Sequence, residues 1–297
     1  MLPRHWEVGE KYMMISPNLF CPNTQFETQV VGLLNKYLFN RPIASLPNTS
    51  STITSIHDIY EDMKNICDFP DLDKKYMVDG SCVAVNCSGL RTQGHIYAGH
   101  DLPIWINDPE SADCRIMIVG RDSGRLPRDM YEMKPTKDQL TISSPFGMHS
   151  RYHRRGTQEI PTIVTEMIKN ATECRKKMSV YITDYYKFRK TSPSNIDIVN
   201  SNVYSPLLDD EIKTFDPNVI ILLGKDVMRA IGIPISTPYF RIYNKGNAYL
   251  PIPHPSHSNG MEINKVKVAF NKSGDDTIMF FIDEICNQLK IICCDNY

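Results

Sequence analysis

From residue 110 onward, short apolar runs alternate with amphipathic stretches, and this alternation constrains the fold more than any other feature of the chain. Arg115–Val119, Val180–Thr183, Val219–Leu223 and Tyr249–Pro253 each read as a buried strand. Between them, Gln158–Lys177 places Ile160, Ile163, Val164, Met167 and Ile168 on one helical face. Ser205–Phe215 and Lys225–Ile231 suit two shorter helices, and Thr277–Ile292 suits a last one. Apolar strands joined by helical crossovers belong in a parallel sheet with right-handed connections. The expected fold class is α/β, with a central parallel four-stranded sheet flanked by helices over residues 110–297.

Residues 1–109 have a different texture. Val30, Val31, Leu33, Leu34, Tyr37 and Leu38 suit a helix that ends before Asn40-Arg41-Pro42, and Ile56, Ile59, Tyr60, Met63 and Ile66 recur at helical spacing. Gly80, Gly89, Gly94 and Gly99 then interrupt the pattern. We read this part as a largely helical N-terminal extension with no assigned role. A chain of 297 residues with 41% hydrophobic content can bury a sizeable core. No window approaches the roughly 20 apolar residues of a membrane span, and the start Met1-Leu2-Pro3-Arg4-His5-Trp6 lacks the apolar stretch of a signal peptide. The expectation is a cytoplasmic monomer that does not engage a membrane.

Nine cysteines at scattered positions, including the adjacent Cys293-Cys294, give no even disulfide framework, and most of them read as buried thiols in a reducing compartment. Cys67, Cys82, Cys87 and Cys114 match neither a zinc spacing nor an iron–sulfur run, so no metal or other cofactor is expected.

Two loops carry the chemistry. Gly120-Arg121-Asp122-Ser123-Gly124 follows the apolar run Ile116–Val119, and His254-Pro255-Ser256-His257-Ser258-Asn259 follows Tyr249–Pro253. Both therefore stand at carboxyl ends of strands, where open α/β sheets bind ligands. A carboxylate from Asp122 and an imidazole from His254 can face one substrate from opposite sides, which is acid/base or electrostatic chemistry in outline. Taken singly, Asp122 reads more readily as an Asx-turn or N-cap residue, and His254-Pro255 can be an ordinary turn. The net charge of −1 argues against indiscriminate coating of nucleic acid, yet Arg115, Arg121, Arg125, Arg128, Arg154 and Arg155 crowd the stretch around and after the first loop. That stretch is either a solvated basic loop or a phosphate-contacting rim.

These motifs and their order resemble the uracil-DNA glycosylase superfamily over about residues 110–290. The first loop is similar to the family's water-positioning motif, and Pro145-Phe146-Gly147 to the segment whose Phe stacks on an extruded base. Val180-Tyr181-Ile182-Thr183-Asp184 looks like the strand that ends in a base-reading Asn. Asp216–Gly224 resembles the third strand, and His254-Pro255-Ser256 the second catalytic motif. The resemblance implies DNA as partner and a base flipped out of the stack, because the glycosidic bond is unreachable inside a duplex. It implies that ionised Asp122 orients a water under C1′, that His254 donates a hydrogen bond to the departing base, and that Phe146 stacks on it. Ser123, Ser256, His257, Arg125, Arg154, Arg155 and Lys187 are then the candidates for contact with DNA phosphates, with Lys225 as a further positive charge.

The departures from the family pattern bear on the substrate. Ser123 stands where Pro is usual, Gly124 where the uracil-specific branch has a Tyr against the C5 edge, and Ser258 where a bulky wedge is expected. Asp184 replaces the Asn that reads uracil. A carboxylate accepts from the N4 amino group of cytosine but cannot donate to O4 of uracil unless it is protonated. With cytosine, N3 requires a proton, either on Asp184 or on the base. The alternative for Asp184 is a helix cap or a partner for Lys187. Gly124 removes bulk where a C5 group would project, and Arg121 is a candidate contact to such a group. The expected activity is that of a monofunctional DNA glycosylase acting on a C5-modified cytosine, hydroxymethylated or glucosylated, in defence against modified phage DNA. The alternatives are a repair glycosylase for uracil or another deaminated base, and a catalytically silent DNA-binding protein of the same fold.

Overall fold

The computed structural model of the chain describes residues 24–39, 53–58, 97–122, 141–143, 159–190, 201–255 and 260–293. The strands are β1 (Tyr97–Asp101), β2 (Ile104–Ile106), β3 (Cys114–Asp122), β4 (Thr141–Ser143), β5 (Met178–Tyr186), β6 (Phe188–Lys190), β7 (Val219–Leu223), β8 (Tyr243–Lys245) and β9 (Asn247–Ile252). The helices are α1 (Gln25–Leu34, continued by a π turn over Asn35–Phe39), α2 (Glu159–Glu173), α3 (Ser201–Phe215), α4 (Lys225–Ile231), α5 (Gly260–Ala269) and α6 (Thr277–Cys293).

Six strands form the main sheet in the order β2-β5-β3-β7-β9-β8. The four expected strands are its centre, and β5, β3, β7 and β9 run parallel. Short antiparallel strands widen it at both edges: β2 pairs with β5, and β8 with β9. The β8–β9 hairpin closes on Gly246, whose φ of +74° is a conformation that side chains disfavour. Three-residue strands carry too little periodicity to be read in advance. A second sheet, in the order β4-β1-β6, stands beside the carboxyl end of β5, because only Lys187 separates β5 from β6.

Side chains alternate across the sheet, so each face has its own cover. On one face α1 and α3 pack together. There Phe26 meets Trp105 at 5.3 Å and Phe215 at 5.7 Å between ring centroids, and Tyr181 meets Phe215 at 5.2 Å. On the other face α2 packs against α6. Near the β9 side, Phe240 packs edge-on against Phe280 and Phe281 at 5.3 and 5.4 Å.

Described residues before 110 are built into this core. The carboxylate of Glu27 accepts hydrogen bonds from Ser55 Oγ at 2.8 Å, Ile56 N at 2.9 Å and His57 N at 3.0 Å. Asn35 likewise bonds both the N–H and the carbonyl of Ile53, at 2.9 and 2.8 Å. With α1 on the sheet and β2 inside it, the hydrophobic core extends across the boundary drawn at 109/110.

One pair of cysteines departs from the thiols expected of most. Cys114 and Cys293 form a disulfide with a Cα–Cα distance of 5.9 Å, which ties the start of β3 to the end of α6. The two lie 179 residues apart in sequence, and packing of α6 on the sheet brings them together. Among the described residues Cys174 is an exposed thiol and Cys286 a buried one. No helix among the described residues is long and apolar enough to cross a membrane.

Candidate active site

The register of the parallel strands aligns the ends from which the candidate residues project. Gly120 of β3 stands opposite Asp184 of β5, and Asp122 opposite Tyr186. Val119 pairs with Leu222 of β7, Leu222 with Pro251 of β9, and Leu223 with Ile252. Asp122, Asp184, Gly224 and His254 therefore fall within two residues of one line across the carboxyl edge of four adjacent strands. This is the edge at which such sheets bind ligands.

Asp184 is 1% exposed. It shares its face of the sheet with Gly120, which brings no side chain beside it. Glu159, in the first turn of α2, is also buried. His254 is half-buried, between buried Pro253 and Pro255. The chain reaches α4 through Gly224, whose N–H donates to the carbonyl of Ile252 at 2.8 Å. Gly224 has φ +85° and ψ 169°, a region open essentially to glycine alone. A Cβ built there would stand 3.5 Å from His254 Cβ. The turn after β7 thus runs close to the backbone and Cβ of His254.

Two polar clusters join the loops around this edge. Arg121 Nη1 donates to Asp226 Oδ2 at 2.7 Å, and Arg229 Nη1 to Asp226 Oδ1 at 2.9 Å. Burial pushes the Asp226 carboxyl up, but the hydrogen bond and charge of Arg121, seconded by Arg229, hold it below its ordinary value. Arg121, expected at the substrate, is thus exposed and engaged by the first turn of α4.

In the second cluster Lys225 Nζ lies 2.7 Å from Glu262 Oε1, and Tyr239 OH donates to the same oxygen at 3.1 Å. Burial, then the Glu262 charge, pushes the Tyr239 phenol up. Lys225, about half exposed, is thus paired with Glu262 of α5. This pair links the loop after β7 to the helix that follows the His254 loop. Tyr239 and Glu262 escaped the sequence reading because neither sits in a motif.

Lys187 requires a correction. It was expected among the phosphate contacts, yet its side chain is 1% exposed and its Nζ lies 2.9 Å from both oxygens of Glu211. Its ammonium also bonds Thr183 Oγ1. An amine paired in the interior is not available to DNA. It does not pair with Asp184 either, since the alternation of β5 sends Thr183 and Asp184 to opposite faces.

Ser123, Gly124, Arg125, Phe146, Arg154, Arg155, Ser256 and His257 lie outside the described residues, as does the side chain of Asp122. Phe146 follows β4 by three positions, and β4 pairs in parallel with β1 in the small sheet beside β5. Among the described residues, no three His, Cys, Asp or Glu side chains gather as a metal-binding group.

None of the curated proteins matches the chain. Residues 109–273 match the family model described as the Uracil DNA glycosylase superfamily, and this segment spans more than half of the chain. Members of that superfamily are generally DNA glycosylases, hydrolases of N-glycosidic bonds in DNA. With its parallel sheet in place, and the two motif loops at one edge of it, the chain belongs to the uracil DNA glycosylase superfamily.

Proposed function

We propose that this protein is a monofunctional DNA glycosylase that flips out a cytosine carrying a C5 substituent and hydrolyses its N-glycosidic bond, leaving an abasic site. The observation that carries the reading is the strand register, which puts Asp122 and His254 at one sheet edge, with Asp184 between the layers of the same edge. Bond cleavage builds positive charge on the sugar and negative charge on the base. The ionised Asp122 carboxylate answers the first, and orients the water that attacks C1′. His254 answers the second by hydrogen bonding to O2 of the base. Phe146 stacks on the flipped base, and Asp184 accepts from N4, with one proton shared between its carboxyl and N3. Gly124 leaves space for the C5 group. Ser123, Ser256, His257, Arg125, Arg154 and Arg155 line the path of the backbone phosphates, and no cofactor is needed for these steps. A C5-substituted cytosine as target fits a role against phage DNA that carries such bases.

The test compares excision from oligonucleotides bearing uracil, cytosine, 5-hydroxymethylcytosine or its glucosylated form, read by alkali-induced strand cleavage. Wild type is expected to prefer a substituted cytosine. Asp122→Asn and His254→Ala should each lower the rate by about a hundredfold or more while DNA binding persists. Asp184→Asn should weaken excision of the cytosine-type base, because the amide supplies neither the charge nor the shared proton. Gly124→Tyr should exclude substituted bases more strongly than unsubstituted ones. A wild-type preference for uracil would replace this reading with base repair, and the absence of any abasic product would replace it with a silent binder.

A further inference from the structure

We infer that the buried Lys187–Glu211 pair is a positioning device that holds the Asp184 end of β5 at the angle base recognition requires. The inference rests on the reading of Asp184 given above. One carboxylate pins the strand at two places and the joint after it at a third. Glu211 Oε1, from α3, accepts from Tyr181 OH at 2.8 Å, from Thr183 Oγ1 at 3.3 Å and from Lys187 Nζ at 2.9 Å, while Oε2 accepts from Lys187 Nζ at 2.9 Å. The ammonium of Lys187 closes the cluster by bonding Thr183 as well. Thr183, Lys187 and Glu211 are each no more than 1% exposed.

The anchors flank Asp184: Thr183 immediately before it and Lys187 three residues after. None of them shares its face of the sheet, so the cluster acts on Asp184 through the backbone rather than by touching a base. Lys187 also occupies a joint. Tyr186 still pairs with Asp122 of β3 in the main sheet, whereas Phe188 pairs with His100 of β1 in the small one. The chain changes sheets across a single residue, and that residue is the one tied down.

Stability alone does not account for the arrangement. Taking two charges out of water is costly, and a well-packed apolar pair of similar volume is often as stable or more so. What an apolar pair lacks is direction. Hydrogen bonds to one carboxylate from two points on β5 and from the residue that follows it define the rotation of the strand end, and a displacement of about 1 Å at a reacting site is enough to cost around a hundredfold.

The experiment uses the full chain and measures melting temperature, kcat and KM on duplex oligonucleotides bearing glucosylated 5-hydroxymethylcytosine or uracil. The variants are Lys187→Met with Glu211→Leu together, Thr183→Val alone, and Asp184→Ala as reference. The paired variant is expected to melt near wild type. Its ratio of kcat/KM between the two bases should still fall about tenfold, mainly through KM, given the sensitivity to placement. Thr183→Val should lower the ratio about threefold by the same route. Were the cluster only structural, discrimination would return wherever the melting temperature does. An unchanged ratio in the folded paired variant, with Asp184→Ala still altering it, overturns the inference. Should the paired variant not fold, an unchanged ratio in Thr183→Val overturns it. An unchanged ratio in Asp184→Ala instead removes the reading of Asp184, and a wild type that excises neither base removes both.

Discussion

Gly224 has a backbone with little freedom for substitution at the candidate site. Its φ of +85° with ψ of 169° belongs to a region that costs other residues about 1–3 kcal/mol. The space itself is not closed, since a Cβ would meet His254 Cβ at an ordinary contact distance of 3.5 Å. Gly224→Ala should therefore lower stability by about 1–3 kcal/mol through the backbone and reduce excision by moving His254. Chemical denaturation and a rate measurement on the same sample check both. The cysteines offer a second test at this scale. Burial pushes the Cys286 thiol up to about 11, whereas Cys174 is exposed. The thiolate is the reactive form, so a maleimide at neutral pH should label Cys174 and spare Cys286 in the folded protein, as peptide mass mapping would show. Residue identity was legible in the sequence, but residue environment was not. Lys187 and Lys225 look alike as surface cations, and only the positions of Glu211 and Glu262 show that both are engaged.

At the level of elements, the long apolar runs declared themselves. The expected strand Val219–Leu223 and helix Lys225–Ile231 are found with those bounds, and β3 and β5 simply run further than their apolar centres. The extension matters, because the added residues carry the candidate side chains Arg121, Asp122 and Asp184 to the carboxyl edge of the sheet. Pairing with a neighbouring strand, rather than composition, keeps them extended. The short strands β2 and β8 were invisible for the opposite reason, since three residues cannot display a period. Position in the sheet should be readable in exchange rates. Strands β3 and β7 are hydrogen bonded on both sides, while β8 is an edge strand of half-buried and exposed residues. Native-state hydrogen exchange should be slowest in β3 and β7 and fast in β8, with protection differing by orders of magnitude. Equal protection across the sheet would contradict this topology.

For the whole molecule, the family match covers residues 109–273, yet the core reaches back to α1. Phe26 is 2% exposed and inserts between Trp105, Tyr181 and Phe215. Phe26→Ala should cost about 3–5 kcal/mol, the usual loss for a buried aromatic, although it lies far outside the matched segment. Urea unfolding would measure it, and a change below about 1 kcal/mol would mean that α1 contributes little to the core. The sequence by itself determined the α/β class, the four parallel strands and the two loops that carry Asp122 and His254. Those features follow from local periodicity and from motifs a few residues long. Tertiary structure alone decided that α1 belongs to the core, that Cys114 meets Cys293, and that Lys187 is buried against Glu211 behind Asp184 instead of facing DNA. Each of these depends on which surfaces meet once the sheet is assembled, and a contact between residues distant in the chain leaves no period or spacing at either end.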